Sequence, residues 1–299
     1  MNWPGNVSWS SWNNFRECER RHYYEKILKI PPSNTVETKY SKFGNCVHSA
    51  IENIDNFKDV TSAVKHYWTS YNLEKTNLDY NSAIKQVYYA LSLNYKFKHK
   101  EELIQFNIDN LNFKLFIDGT LEDGSVLDWK TSTFTESKVE DYKEQLLWYT
   151  WGTWKHKGYI PPKAILVFTK AQKVFEWSFN EKQLNEFEQK IADVIKLENS
   201  KKKFHDFEPN YSKCHWCAFK LACKTDDLLN SEDMHVELVY DHDWCVIKTR
   251  MTPFFNEVVE DELSYVMDNA HFVKKAMLQK GVKYDAVVKL YDREKQSRS

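Results

Sequence analysis

The chain has 299 residues, with 42 Lys and Arg against 43 Asp and Glu, a formal charge of −1. That balance excludes a globally basic nucleic-acid coat, though not a local basic channel, because net charge is blind to clustering. Hydrophobic residues at 42% and aromatics at 15% supply a core and exclude disorder as the main state. No apolar run approaches the roughly 18 residues of a membrane span. The segment MNWPGNVSWSSW has no basic stretch followed by an apolar run, so no secretory signal is read there and an intracellular setting is expected. Seven glycines and seven prolines are few for this length and favour long helices over a many-turned sandwich or barrel.

Residues 8–30 read as a first helix, with Ser8, Ser10 and Ser11 as caps and Phe15, Cys18, Tyr23 and Ile27 at helical spacings. Pro31-Pro32 ends it. A second helix is expected over 44–57, and helical pattern continues to about residue 100. From 101 to 132 apolar residues alternate with period two, the mark of strands. Helix returns over 136–157. Two strands follow at 164–170 and 174–180, joined by Ala171-Gln172-Lys173, and residues 181–200 form a polar amphipathic helix. Residues 231–299 hold 10 Lys and Arg against 13 Asp and Glu, and the acidic run from Glu257 to Asp268 reads as an exposed helix face. This region is taken as a C-terminal accessory element beside a domain spanning residues 1–230.

The stretch FKLFIDGTLEDGSVLDWKTS (113–132) reads as a hairpin. A two-residue loop at Asp123-Gly124 would set residue 118 opposite 129 and mix apolar with polar faces. A three-residue loop, Glu122-Asp123-Gly124, sets 118 opposite 128 and keeps the faces apart, with Gly124 in the left-handed position of a bulge. Leu115, Ile117, Leu121, Leu127 and Trp129 then face a core, while Asp118, Asp128 and Lys130 share a solvated face. Two carboxylates there suit Mg²⁺ or Mn²⁺, hard cations that prefer oxygen. A lysine beside them can orient a water or stabilise developing negative charge. A surface salt-bridge cluster is the alternative. Elsewhere, Gly44-x3-His48-x3-Glu52 sets His48 and Glu52 one helical turn apart, and Gln145-x3-Tyr149 shares one face of the next helix.

Taken in order, GNCVH (44–48), IDG (117–119), LDWKT (127–131) and QLLWY (145–149) resemble the PD-(D/E)XK nuclease superfamily. The branch they are similar to is that of the RecB/AddB-type exonucleases and iron–sulfur CRISPR-associated nucleases. The resemblance spans about residues 8–225. It implies an α/β, restriction-endonuclease-like core, a mixed central sheet flanked by helices. It implies that His48, Asp118, Asp128 and the carbonyl of Trp129 ligate the metal. Lys130 would be the catalytic lysine, with Gln145 and Tyr149 supporting the site or the DNA backbone. The expected activity is Mg²⁺- or Mn²⁺-dependent hydrolysis of DNA phosphodiesters, most readily at ends, in recombination, repair or phage DNA metabolism. A non-catalytic DNA-binding subunit and a metal-stapled interaction module are the competing readings. No GxxxxGK[ST] occurs in these residues, so unwinding is expected from a helicase or recombination partner.

Cys214-x2-Cys217-x5-Cys223 reads as metal binding rather than disulfide forming. The same resemblance implies Cys18 as the fourth ligand of a [4Fe–4S] cluster that staples the two ends of the domain. Structural zinc is the alternative, with His215 adjacent. Cys46 and Cys245 read as buried small hydrophobes. Arg20, Arg21, Lys98 and Lys100 are candidate DNA contacts. Trp9, Trp12 and Phe15 could stack on bases, although core packing fits such residues better.

Overall fold

The computed structural model describes residues 3–29, 39–202, 206–219 and 223, apart from the side chains of 215 and 216, and the backbone of 236–241 and 244–249. The chain divides into two compact units, one from Met1–Trp12 and Val36–Asn199, the other from Asn13–Thr35 and Ser200–Ser299. No helix among the described residues is long and apolar enough to cross a membrane.

The first unit is a mixed five-stranded sheet with helices on both faces. β1 (Phe97–Ile108), β2 (Leu111–Leu121), β3 (Val126–Lys130), β4 (Ala164–Phe168) and β5 (Lys173–Trp177) lie side by side in chain order. Neighbours are antiparallel except β3 and β4, which are parallel. A parallel pair needs a crossover, and α6 (Glu136–Lys157) supplies it. The Thr135 side chain caps the start of α6, and Gly158 ends it in a left-handed conformation, φ 77°. On one face of the sheet, α3 (Lys39–Glu52), α4 (Val60–Ser70) and α5 (Tyr80–Ser92) share a buried apolar cluster with Leu121, Leu127, Trp129, Ile165 and Val167. α6 covers the other face: Phe113 of β2 lies 6.1 Å from Trp148 and 5.1 Å from Trp151, ring centre to ring centre. α7 (Glu181–Ser200) joins that layer through Phe187, 6.4 Å from Trp148. Trp12 is fully buried against the same Trp148, so it belongs to the core rather than to a base-stacking surface.

α6 and α7 run over the residues their patterns predict. The helical pattern expected up to residue 100 resolves differently. Asp59 forms a capping box with Ser62 and Asp79 caps α5, so two further helix starts divide the segment. Asn94 then takes a left-handed turn, φ 52°, and β1 begins at Phe97, before the expected change at 101. β4 stops short because residues 169–172 turn, with Gln172 at φ 54°, and β5 ends at Trp177, ahead of Asn180, whose side chain accepts from Gln183 N–H at the start of α7. β1 and β2 form a hairpin through Asp109-Asn110, both at positive φ, with Ile108 opposite Leu111. The expectation of one core face on β2 also fails. Leu115 packs on α6, where a Cβ on Gly152 would meet its methyl at 2.2 Å, whereas Leu121 lies in the cluster with α3–α5. Leu115 and Leu121 share a parity, so alternation alone would keep them on one side, and it is the twist along this long strand that parts them.

The helix expected over 8–30, most of which belongs to the second unit, is broken. α1 (Trp9–Glu17) stops before Cys18, which is extended (φ −162°, ψ 104°), and α2 (Glu19–His22) runs on into a π-helical turn, Tyr23–Ile27. The later segment folds back on these elements. Asn210 Nδ2 donates to the Glu17 carbonyl (2.9 Å), Arg20 N–H donates to the Glu208 carbonyl (3.2 Å), and Phe207 packs 4.8 Å from Tyr23. Beyond it β6 (Val236–Asp241) and β7 (Trp244–Thr249) pair antiparallel. The side chain of Cys245 and the acidic run from 257 to 268 lie outside the described residues.

Candidate active site

The site lies where β2 separates from β3. The two strands pair at Thr120–Val126 and Gly119–Leu127, and Gly124 N–H donates to the Leu121 carbonyl (2.9 Å) with Gly124 at φ 87°. This is the three-residue connection expected from parity, and its register sets 118 opposite 128. The ladder ends there. Instead of a backbone partner, the N–H of Trp129 donates to Asp118 Oδ2 at 2.8 Å. Trp129 anchors its indole in the cluster beneath α3–α5, which turns Asp128 and Lys130 toward the α6 side.

Asp128 and Lys130 form an ion pair, Oδ2 to Nζ 2.6 Å. The ammonium also lies 4.5 Å from the ring centre of Tyr142 on α6. The expectation of a solvated face is corrected here: Asp128 is 2% exposed and the Lys130 side chain 18%. Helices cover this face too, so the carboxylate sits in a nearly dry setting. Burial pushes the Asp128 pKa up to about 6, against the pull of Lys130. Burial likewise raises Asp118, with Lys130 and the Trp129 N–H pulling it back. For Lys130, burial works against the ammonium, but Asp128 and Asp118 outweigh it and hold its pKa above the ordinary value.

His48 reaches the cluster from α3, with Nδ1 3.6 Å from Asp118 Oδ2. Burial pushes its pKa down to about 4, although Asp128 and a hydrogen bond to the Trp129 carbonyl pull it up. Its imidazole is therefore neutral at pH 7, the form that ligates metals. Gly44 allows α3 to approach this closely, since a Cβ there would stand 3.3 Å from Thr131 Oγ1. Gln145 Nε2 donates to Tyr149 Oη (2.6 Å) on α6. Burial and the two aspartates hold the Tyr149 phenol well above its usual range.

The structure thus brings together His48, Asp118, Asp128, Trp129 and Lys130, with Gln145 and Tyr149 beside them. Glu52, paired with His48 in the sequence, lines a small cavity with His48, Lys100, Asp118 and Trp129. The structure also adds residues that sequence reasoning missed, and Glu101 lines the same cavity. Glu101 is held left-handed, φ 52°, in the middle of a strand, and nothing in the sequence signals that. The Thr169 backbone N–H donates to the Lys130 carbonyl (2.9 Å), and its hydroxyl donates to buried Gln86 (2.7 Å), fixing the end of β3. Tyr142 stands three residues before Gln145 on α6, a helical spacing that could have drawn it in.

Other expected residues lie elsewhere. Lys98 is exposed on β1, and Lys100 pairs with Asp55 at 2.7 Å. Arg21 is half-buried. Arg20, expected as a phosphate contact, is 8% exposed and turned inward; its Nε donates to the Phe207 carbonyl (3.4 Å). Cys18, Cys214, Cys217 and Cys223 all lie in the second unit and in no disulfide. Asn210 N–H reaches Cys18 Sγ at 3.4 Å, Cys214 Sγ lies 3.8 Å from the Asn210 carbonyl, and Arg20 reaches Cys223 Sγ at 3.8 Å. Cys46 is fully buried in the α3–α5 cluster, and burial pushes its thiol up to about 12, which suits a core residue. Among the described residues no group of three or more His, Cys, Asp and Glu is arranged as a ready metal site. At the nuclease-like cluster, the Lys130 ammonium sits on the carboxylate that a cation would need.

This fork of two strands carries one carboxylate on each strand and a lysine on the shorter one. Residues 6–224 match the family model of the PD-(D/E)XK nuclease superfamily, and the chain belongs to that superfamily. No curated protein matches the chain. Among solved structures it is similar to a "Putative exonuclease" from Eubacterium rectale, at TM-score 0.49 and 11% identity, over 71% of this chain and 86% of that one. It is also similar to SSO0001, at TM-score 0.36 and 17% identity, over 75% of this chain and 88% of that one.

Proposed function

We propose that this protein is a Mg²⁺- or Mn²⁺-dependent deoxyribonuclease that hydrolyses phosphodiester bonds at DNA ends. The observation that carries this reading is the convergence of Asp118, Asp128, His48 and Lys130 around the Trp129 peptide. The donor chemistry suits a hard divalent cation: two carboxylates that burial leaves short of compensating charge, one neutral imidazole and a backbone carbonyl. When bound, that cation would polarise a phosphate oxygen and acidify a water. His48, Asp118, Asp128 and the Trp129 carbonyl would hold it. Lys130 would leave Asp128 to orient the attacking water and stabilise negative charge developing on the phosphate. Tyr149, kept protonated and aligned by Gln145, donates a hydrogen bond toward the substrate backbone. Cleavage at ends follows from the motif resemblance, as does action beside a helicase or recombination protein.

The reading extends to a [4Fe–4S] cluster on Cys18, Cys214, Cys217 and Cys223. Support comes from the second unit, where Cys18 and Cys214 meet the backbone of the same residue, Asn210, and Arg20 faces Cys223. A zinc ion on the same thiolates is the alternative that metal analysis separates. The decisive test of function is incubation of purified protein with linear, circular and single-stranded DNA in Mg²⁺, Mn²⁺ or EDTA, with Lys130→Ala as control. Metal-dependent loss of linear DNA, absent in the control, is expected; the same loss in EDTA would overturn the reading.

A further inference from the structure

The β1–β2 hairpin carries an outward face that no covering helix claims among the described residues. Along β2, Phe113, Leu115 and Ile117 are buried while Asn112 and Phe116 are exposed and Lys114 is half-buried; along β1, Leu103, Gln105 and Asn107 are exposed. The register stacks these as cross-strand pairs: Asn107 with Asn112, Gln105 with Lys114, Leu103 with Phe116. Phe116 is 59% exposed and Leu103 48%, and the Lys114 ammonium lies 4.8 Å from the centre of the Phe116 ring. One further step along the same face stand Glu101 and Asp118, which line the cavity with His48. Two residues of strand advance about 7 Å, so the exposed ring is one short step from the candidate catalytic carboxylate.

The Phe116 and Leu103 side chains, paired across the two strands, give this face an exposed apolar platform. The remaining side chains of this face are three amides and one lysine, with no carboxylate until the site itself. That composition fits an anionic strand with open base faces: an aromatic ring to stack on, amides for base edges, a cation for phosphate. Resting on the nuclease reading above, we propose that this face is the track for an unpaired DNA strand, with a base stacked on Phe116 as its backbone reaches Asp118. A paired duplex would keep its bases stacked on one another and leave the ring unused.

The test uses the full-length protein and a single-stranded oligonucleotide carrying 2-aminopurine, titrated in EDTA so that no cleavage is required. Wild type should quench the 2-aminopurine. Phe116→Trp should keep the quench. Phe116→Ala should lose it and bind about tenfold more weakly, with blunt-duplex binding unchanged. Unaltered quenching and affinity in Phe116→Ala would overturn the proposal. So would equal loss for single-stranded and duplex DNA, a large loss of thermal stability, or a change of oligomeric state in Phe116→Ala. The last two outcomes would show that another part of the chain or a second copy covers this face. Binding with quenching by a protein that never cleaves DNA in Mg²⁺ would overturn the nuclease reading and leave this one standing. Normal cleavage with no quench would do the reverse.

Discussion

Removing His48 should unmask a stability that falls as pH rises through the weakly acid range. In the metal-free protein, burial lowers the His48 pKa from 6.5 to about 4 and raises that of Asp128 from 3.8 to about 6. The signs oppose. The histidine contribution is complete above the unfolded pKa and is lost as pH falls through about 4. The aspartate contribution is complete below the unfolded pKa and is lost as pH rises through about 6. Each shift exceeds two units, and one unit corresponds to roughly 1.4 kcal/mol, so each arm amounts to about 3 kcal/mol. Between pH 4 and 6 these two arms nearly cancel in the wild type, leaving the downward slope that raised Asp118 contributes. His48→Gln leaves the aspartate arm alone, reinforced by Asp118, whose pKa is also raised. Its stability should fall by about 3 kcal/mol from pH 4 to 6, on the order of 6–12 °C in melting temperature. Asp128→Asn should show the opposite slope, rising toward pH 6.5, on top of a pH-independent penalty for stranding the Lys130 ammonium. Urea unfolding in EDTA, followed by the buried tryptophans at half-unit pH steps, measures both. A His48→Gln protein with flat or climbing stability over pH 4–6 would refute the electrostatic picture of this site.

Three further outcomes test other parts of the structure. Lys130→Ala and Asp128→Asn should each cut DNA hydrolysis by about 10²–10³-fold in a gel assay with Mn²⁺, and rates within tenfold of wild type would remove their catalytic roles. Gly152→Ala should destabilise by about 1–3 kcal/mol in urea unfolding, despite the better helix former, because its Cβ would meet the buried Leu115 methyl at 2.2 Å; a more stable variant would mean that Leu115 has room to turn. Protein isolated without oxygen should be brown with about four irons per chain, and Cys18→Ser should lose colour and thermal stability together; a colourless wild type with one zinc per chain would select the zinc alternative.

Much of the first unit was legible because local signals agree there. Period-two alternation with a single Gly fixed the register of 118 against 128, and the α6 pattern had a threonine cap and a terminal glycine at its two ends. The sequence could not reveal how wet the site is. Alternation tells which residues share a face, but the dryness of Asp128 depends on how α6, next in the chain, and α3, far upstream, pack over it. The same holds for Gln86 and Thr169, which meet across 83 residues to brace the end of β3. Arg20 misled for a related reason. In CERRHYY it reads as a surface charge, yet the chain returns nearly two hundred residues later and offers it a carbonyl at Phe207. The break at Cys18 was equally hidden, because helical spacing continues across it while the backbone does not.

The order Asp128-Trp129-Lys130 acquires a physical meaning from this geometry. Alternation on β3 sends the two charged side chains toward α6 and the indole into the opposite layer, where Trp129 is 3% exposed. A large buried ring is an anchor that pins the backbone it hangs from. That backbone is what the remaining groups read: its N–H holds the Asp118 carboxylate, whose Oδ2 in turn lies 3.6 Å from His48 Nδ1. One peptide therefore sets the positions of groups from β2 and α3, while its neighbours in sequence supply the other carboxylate and the lysine. The site requires β2 to let go of β3 at this point, since a continued ladder would occupy the N–H that Asp118 takes. The fork in the sheet and the constellation are thus one feature. A change that restored pairing beyond Gly119 would remove Asp118 from the cluster even with every candidate catalytic side chain intact.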